Sequence, residues 1–164
     1  MSDRASTIER RTAETEVRLA LGLEGTGAGA RDTGVGFFDH MLDLLARHGR
    51  MDLDVSVIGD LQTGGHHTAE DTAIVLGQAL DAILGDRSSI ARYGWATVPM
   101  DEARASCAID VSGRPFTLFE AQLPPGSTGC SISELMRSVS PLCSAPRARW
   151  GRSRPPGAAR GQRP

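Results

Sequence analysis

Residues 15–25 alternate strictly, with Val17, Leu19, Leu21 and Leu23 set against Glu16, Arg18 and Glu24. That period of two predicts a strand with one buried face. The same period returns over 51–59, where Leu53, Val55 and Val57 oppose Asp52, Asp54 and Ser56. Between the two, the glycine-rich stretch 25–36 predicts a turn or loop. Residues 37–48 switch to a helical period, with Phe38, Met41, Leu42 and Leu45 on one face and Gly49 where a left-handed cap would end the helix. Gly64 and Gly65 break the chain again. A second helix is predicted over about 67–84, with Ala73, Leu76, Gly77, Leu80 and Leu84 inward and Gly85 as the stop.

Farther on, Ala105, Cys107, Ile109 and Val111 mark a third strand. Gly113, Arg114 and Pro115 make a turn, and 116–122 a fourth strand. Strands that return through short turns, with helices between them, predict an α+β fold whose helices layer on one sheet face. The alternation leaves the opposite face wet or covered in an oligomer. From 126 the order disappears. Pro141, Pro146, Pro155, Pro156 and Pro164 stand among arginines and glycines with neither period, which predicts a disordered basic tail over 126–164.

A chain of 164 residues suits one domain, and 40% hydrophobic with 23% charged residues excludes collagen, coiled coil and wholesale disorder. There is no apolar run of the ~18 residues a spanning helix needs, so no membrane partner is expected. The polar stretch 1–11 has no apolar segment of the secretory type. Cys107, Cys130 and Cys143 lack any CxxC spacing, so no disulfide framework is expected and the cytoplasm is the expected compartment. The net charge of −2 hides an asymmetry: residues 1–128 hold eleven arginines against nineteen acids, and 129–164 hold seven arginines against one glutamate. With Trp150 its only aromatic residue, the tail lacks the interleaving of a nucleic-acid binder, and no nucleic-acid partner is expected.

The sharpest chemical signal is His66-His67-Thr68-Ala69-Glu70-Asp71 at the start of the second helix. His66 with Glu70, and His67 with Asp71, lie one turn apart and share a face. Imidazoles with carboxylates suit a borderline divalent metal, and either acid could instead hold a histidine tautomer from behind. The bland alternative has the histidines capping a helix whose dipole the acids complement. His40 stands on the first turn of an apolar helix, where core or cap residues are common, and His48 beside Gly49 suits a C-terminal dipole partner. Glu14 lies in a charged loop before the first strand, either solvated or an acid or base. Arg92 and Arg114 lie in turns, where the guanidinium fork suits a phosphate.

Taken in order, five segments resemble the imidazoleglycerol-phosphate dehydratases: Arg-x-Thr-x-Glu-Thr (10–15), Phe-x-Asp-His-Met-Leu within 37–48, His-His-Thr-x-Glu-Asp (66–71), Asp-Glu-Ala (101–103) and Ser-Gly-Arg-Pro (112–115). The resemblance covers about residues 8–125. It implies a carbon–oxygen lyase of histidine biosynthesis that converts D-erythro-imidazoleglycerol phosphate to imidazoleacetol phosphate and water. It implies two Mn2+ ions per site that hold the substrate ring as an imidazolate, making it the electron source for loss of hydroxide. By position, His40, His66, His67 and Glu70 would be metal ligands, Glu14 the acid/base carboxylate in contact with substrate, and Arg92 and Arg114 the phosphate-binding pair. The implied fold is a duplicated unit like the second domain of ribosomal protein S5, with sites formed between subunits of a 24-subunit shell.

The chain departs from that pattern in its second half. No histidine follows His67, no lysine occurs anywhere, and only Ile132 to Arg137 hints at the next helix. The fold expected is therefore the first repeat plus part of the second, with activity impaired. An apolar face around Val17, Leu19, Val55 and Val57 is expected to lie exposed. An all-arginine, Ala/Gly-rich composition suggests a GC-rich gene, and the tail reads as translation in a shifted frame from about 126–131. A search of the other two frames across codons 120–164 tests this, and the absence of a second His-His-x-x-Glu there would reject it. The alternative to an impaired enzyme is a metal-binding or oligomer-associating fragment without turnover. A one-metal hydrolase built on His66, His67 and Glu70 would leave the two phosphate arginines without a purpose.

Overall fold

The computed structural model describes residues 4–88, 90–113, 116, 118–120 and 148–149. Its first unit is a four-stranded sheet in the order β1-β2-β4-β3, built from β1 (Ala5–Arg11), β2 (Thr15–Gly22), β3 (Arg31–Asp32) and β4 (Asp52–Gly59). The β2 strand runs antiparallel to both β1 and β4, and β3 lies parallel to β4. Two helices, α1 (Gly36–Gly49) and α2 (His66–Leu84), cover one face of this sheet. A 3-10 turn, Leu61–Thr63, joins β4 to α2. The α+β architecture is the one the alternation implies.

Register explains the core. Val17 pairs with Val57, Leu19 with Val55 and Leu21 with Leu53 across β2 and β4. All six point to the same face, since side chains on a strand alternate. Leu42 and Ala46 of α1, and Val75 and Ala79 of α2, close over them. The expected exposed face is therefore corrected: Val17 (1%), Leu19 (0%), Val55 (1%) and Val57 (8%) are buried. The first repeat's own two helices suffice to cover its sheet, so this layer does not depend on a second repeat.

Several local expectations shift. The β1 strand (ASTIERR) carries only Ile8 and Ala5 as apolar residues, so as an edge strand with one partner it shows almost no apolar period. In α1, Leu42 and Ala46 turn inward, leaving Met41 and Leu45 exposed together with Phe37. The left-handed residue that ends α1 is Arg50 (φ 53°), one position past the expected Gly49. The buried stripe of α2 runs through Thr68, Thr72, Val75 and Ala79, and Leu76, Leu80 and Ile83 flank it only half-buried. Small residues let the helix sit close to the strands, and a reading weighted to large apolar residues misphases it.

The loop before α1 is held from two sides. Thr26 N and Ala28 N donate to Asp52 Oδ1 at 2.8 and 2.9 Å. The Arg31 side chain, only 7% exposed, ion-pairs with Asp43 of α1 at 3.3 Å and donates to the carbonyls of Gly29 and Gly27. At Gly29 a Cβ would come to 2.1 Å from Leu53 O, and φ is +112°, so only glycine fits. The backbone donors on Asp52 hold its carboxyl below the usual carboxylate value. A depressed folded-state value means that the contribution is fully present above the unfolded value and is lost as pH falls through the folded one. Asp52→Ala is therefore expected to speed hydrogen exchange at Thr26 and Ala28 at neutral pH. The difference from the parent should shrink in acid, and an equal difference at all pH values would reject the assignment.

The remaining described elements are the hairpin β5 (Tyr93–Met100) with β6 (Ala103–Asp110), and a short parallel pair, β7 (Phe119–Glu120) with β8 (Ala148–Arg149). The β5 strand lies in the stretch 85–104, where no element was expected, and every one of its residues is exposed. Two residues of the expected tail, Ala148 and Arg149, are thus strand. The region of Ile132 to Arg137 lies outside the described residues.

Candidate metal and acid–base site

The chain reverses three times at one end of the sheet, and these reversals assemble the candidate site. Residues 12–14 turn between β1 and β2, closed by Thr12 N to Thr15 O (2.8 Å) and by Thr15 N to Thr12 Oγ1 (2.9 Å). This turn carries Glu14, whose side chain is exposed. Beside it β4 ends at Gly59, and the amide of Asp60 donates to the Glu14 carbonyl at 3.0 Å. The Gly64–Gly65 break then starts α2 at His66.

At that helix start neither histidine acts as a cap: Gly65 is the N-cap residue, without a side-chain cap bond, and the first turn holds no acid. The dipole-capping alternative is thereby set aside. His66 Nε2 lies 3.2 Å from Glu70 Oε2, one turn on, and both side chains are about 30% exposed. His67 Nδ1 lies 3.1 and 3.0 Å from the two oxygens of Asp60. The two imidazoles are neighbours, their centroids 5.6 Å apart. The hydrogen bond to Asp60, with the charges of Asp60, Glu14 and Glu70, raises the His67 value against partial burial. Burial likewise opposes the Asp60 carboxylate, yet hydrogen bonds from Thr63 and His67 outweigh it and hold its value down.

Asp71 does something other than hold His67 from one turn on. It is 7% exposed and accepts from Arg10 Nε (3.0 Å), from Thr12 Oγ1 (3.3 Å) and from Thr15 Oγ1 in a short contact. It ties α2 to the turn that bears Glu14. The partner of His67 is Asp60, seven residues upstream, which the reading of the sequence missed. Its only signal there is an acid placed between a strand end and a glycine break.

The remaining candidates lie on other elements. His40 is exposed on α1. Among the described residues no three His, Cys, Asp or Glu side chains converge as a metal-binding group, so His40, His66, His67 and Glu70 do not close a shell within one chain. Arg92 stands before the β5–β6 hairpin, bound through Nε (2.6 Å) and Nη2 (3.1 Å) to Asp110, with its guanidinium 5.1 Å from the Tyr93 ring. The Ser112–Gly113 turn follows β6, where Val111 N donates to Arg92 O at 2.9 Å. Arg114 lies outside the described residues.

Two imidazoles and nearby carboxylates at a helix start, on an α+β layer, define a histidine-rich site of the kind that serves acid–base and metal chemistry. Residues 33–143 match the imidazoleglycerol-phosphate dehydratase family, a stretch that begins and ends later than the one carrying the five motifs. An imidazoleglycerol-phosphate dehydratase of Ruegeria pomeroyi is 52% identical over 134 residues, covering 82% of this chain and 69% of the relative. One of Salinibacter ruber is 53% identical over 138 residues, covering 84% and 68%. The crystal structure of the Staphylococcus aureus dehydratase superposes with a TM-score of 0.69 at 30% identity, covering 85% of this chain and 78% of that one. That of Pyrococcus furiosus, in complex with (S)-C348, gives 0.66 at 28% identity, covering 81% and 70%. The chain belongs to the imidazoleglycerol-phosphate dehydratase family, whose members are lyases. No helix among the described residues is long and apolar enough to cross a membrane.

Proposed function

We propose that this chain is a dehydratase by descent, specific for D-erythro-imidazoleglycerol phosphate and yielding imidazoleacetol phosphate and water in histidine biosynthesis, with impaired turnover. The observation that carries the reading is the gathering of His66, His67, Glu70, Asp60 and the Glu14 turn at one end of the sheet. Mn2+ fits this donor set: the His67 ring has its Nδ1 engaged by Asp60, which directs Nε2 to a ligand's role. His40, His66, His67 and Glu70 would hold the metal, shared between copies in a homo-oligomer of 24 in the cytoplasm. Bound Mn2+ would supply Lewis-acid stabilisation of charge on the substrate's imidazole ring.

The protein's own groups do the rest. Glu14, exposed at the tip of its turn, moves a proton at the carbon that loses hydrogen or at the departing hydroxyl. Arg92 and Arg114 bind the phosphate, and Arg92 exchanges its Asp110 partner for that anion. Impairment follows from the donor count, because the second His-His-x-x-Glu of the family pattern has no counterpart in this sequence. In this reading residues 8–125 form the incomplete dehydratase domain, and 126–164 the divergent segment.

A second reading, a metal-binding or associating fragment without turnover, is favoured by the want of three converging donors among the described residues. Titrating the full chain with MnCl2, followed by electron paramagnetic resonance, and assaying imidazoleacetol phosphate release separates the two. The expected result is Mn2+ binding weakened at least ~10-fold by His67→Ala, with turnover measurable but at least ~100-fold below that of the Staphylococcus aureus relative. Binding without any turnover would leave the fragment reading, and no Mn2+ binding would reject the metal-dependent enzyme and the metal-binding fragment alike.

A further inference from the structure

Asp60 is the residue that the site's known parts do not account for. It follows the last residue of β4, and three contacts fix its position. Its amide donates to Glu14 O at 3.0 Å, its Oδ2 accepts from Thr63 Oγ1 at 2.9 Å, and its carbonyl accepts from Thr63 N at 2.9 Å. With the backbone thus pinned, both carboxylate oxygens stand 3.0–3.1 Å from His67 Nδ1. Its side chain is 19% exposed and that of His67 41%, so the bond sits at the edge of solvent with the acid on the inner side. An ionised carboxylate can only accept, so the ring nitrogen between its oxygens must carry the hydrogen.

We propose that Asp60 is a positioning residue for His67: it fixes the Nδ1–H tautomer and presents a bare Nε2 to the metal, while its amide holds the carbonyl of Glu14. The proposal deepens the dehydratase reading above and rests on the ligand role of His67. Free histidine favours the opposite tautomer, with hydrogen on Nε2, in which the outward nitrogen has no lone pair to give. One residue thus sets the geometry of both a ligand and the acid–base turn, through side chain and main chain respectively. Removing the side chain should alter the first and spare the second.

The test is a long-range proton–nitrogen correlation spectrum of the metal-free full chain, with 15N-labelled histidine, recorded at a pH where the rings are neutral. Only four histidines contribute, and His67→Asn identifies the signal. The expected result is Nδ1–H at His67 in the parent and a shift toward Nε2–H in Asp60→Ala, with Mn2+ affinity reduced ~10–100-fold. Should Asp60→Ala fail to fold, Asp60→Asn decides. It keeps the volume and the acceptor for Thr63, but its amide can donate to Nδ1 and so release the tautomer. An Nε2–H ring in the parent, or a tautomer unchanged in the variant that folds, overturns the proposal, as does unchanged Mn2+ affinity. If the tautomers behave as expected and the parent binds no Mn2+, the tautomer control stands and the metal reading of His67 fails.

Discussion

Asp71→Ala is expected to lower the stability of the chain by about 3 kcal/mol, because it strips three donors of one buried acceptor at once. The carboxylate is 7% exposed, and its partners come from a different part of the chain: Arg10 from β1, Thr12 from the turn and Thr15 from β2. A hydrogen bond to a charged group contributes roughly 1.5–3 kcal/mol. The Arg10 side chain, 35% exposed, recovers part of its loss from water, so the cost falls below that of a fully buried pair. For a chain of this size the shift in Tm should be about 6–12 °C. Asp71→Asn keeps an acceptor for the threonines while losing the charge, and should cost about half as much. The consequence reaches the site: the turn that presents Glu14 is tied to α2 through Asp71, so hydrogen exchange at Glu14 and Thr15 should quicken in Asp71→Ala well before global unfolding. A loss under about 1 kcal/mol in urea titration would show that the three donors find water instead, and would reject the anchoring role.

That anchor is instructive about what sequence alone reveals. The strands β2 and β4, both helices and their glycine breaks are legible because a one-sided sheet forces a period of two, and a helix on it one near 3.6. The edge strand β1 and the hairpin strand β5 are not. The former alternates in burial but has few apolar residues to mark it, and the latter is solvent-exposed on both faces, so neither carries an apolar period. The inward face of α2 is misread for a related reason: Thr68 and Thr72 are fully buried, where spacing alone assigns that role to larger residues. Within the site, the pair His66 and Glu70 follows from helix geometry and is found as expected. The assignment of Asp71 and Asp60 does not. Both acids lie near His67 in sequence, and only tertiary structure shows that the nearer one faces Arg10 while the farther one, brought round by the 3-10 turn, faces the ring. Spacing on one element predicts neighbours on that element. It carries no information on what a chain reversal delivers from outside.

The contrast between the buried sheet and the exposed hairpin gives the other large expected effect. Leu19 is 0% exposed at the centre of β2, paired with Val55 on one side and Ile8 on the other. Leu19→Ala should cost about 2–5 kcal/mol, since it removes three carbons from a site that β-sheet backbone on both sides prevents from collapsing. Trp95 of β5 is a much larger side chain but 82% exposed, and Trp95→Ser should change stability by no more than about 0.5 kcal/mol. If the two substitutions behave so, in urea titrations at low protein concentration, the folded core is the first sheet with its two helices, and the hairpin contributes little to it. A cost for Trp95→Ser approaching that of Leu19→Ala would instead mean that the exposed face bearing Tyr93 and Trp95 is buried in solution. Dependence of that cost on protein concentration would then assign the burial to contact between chains rather than to the fold of one.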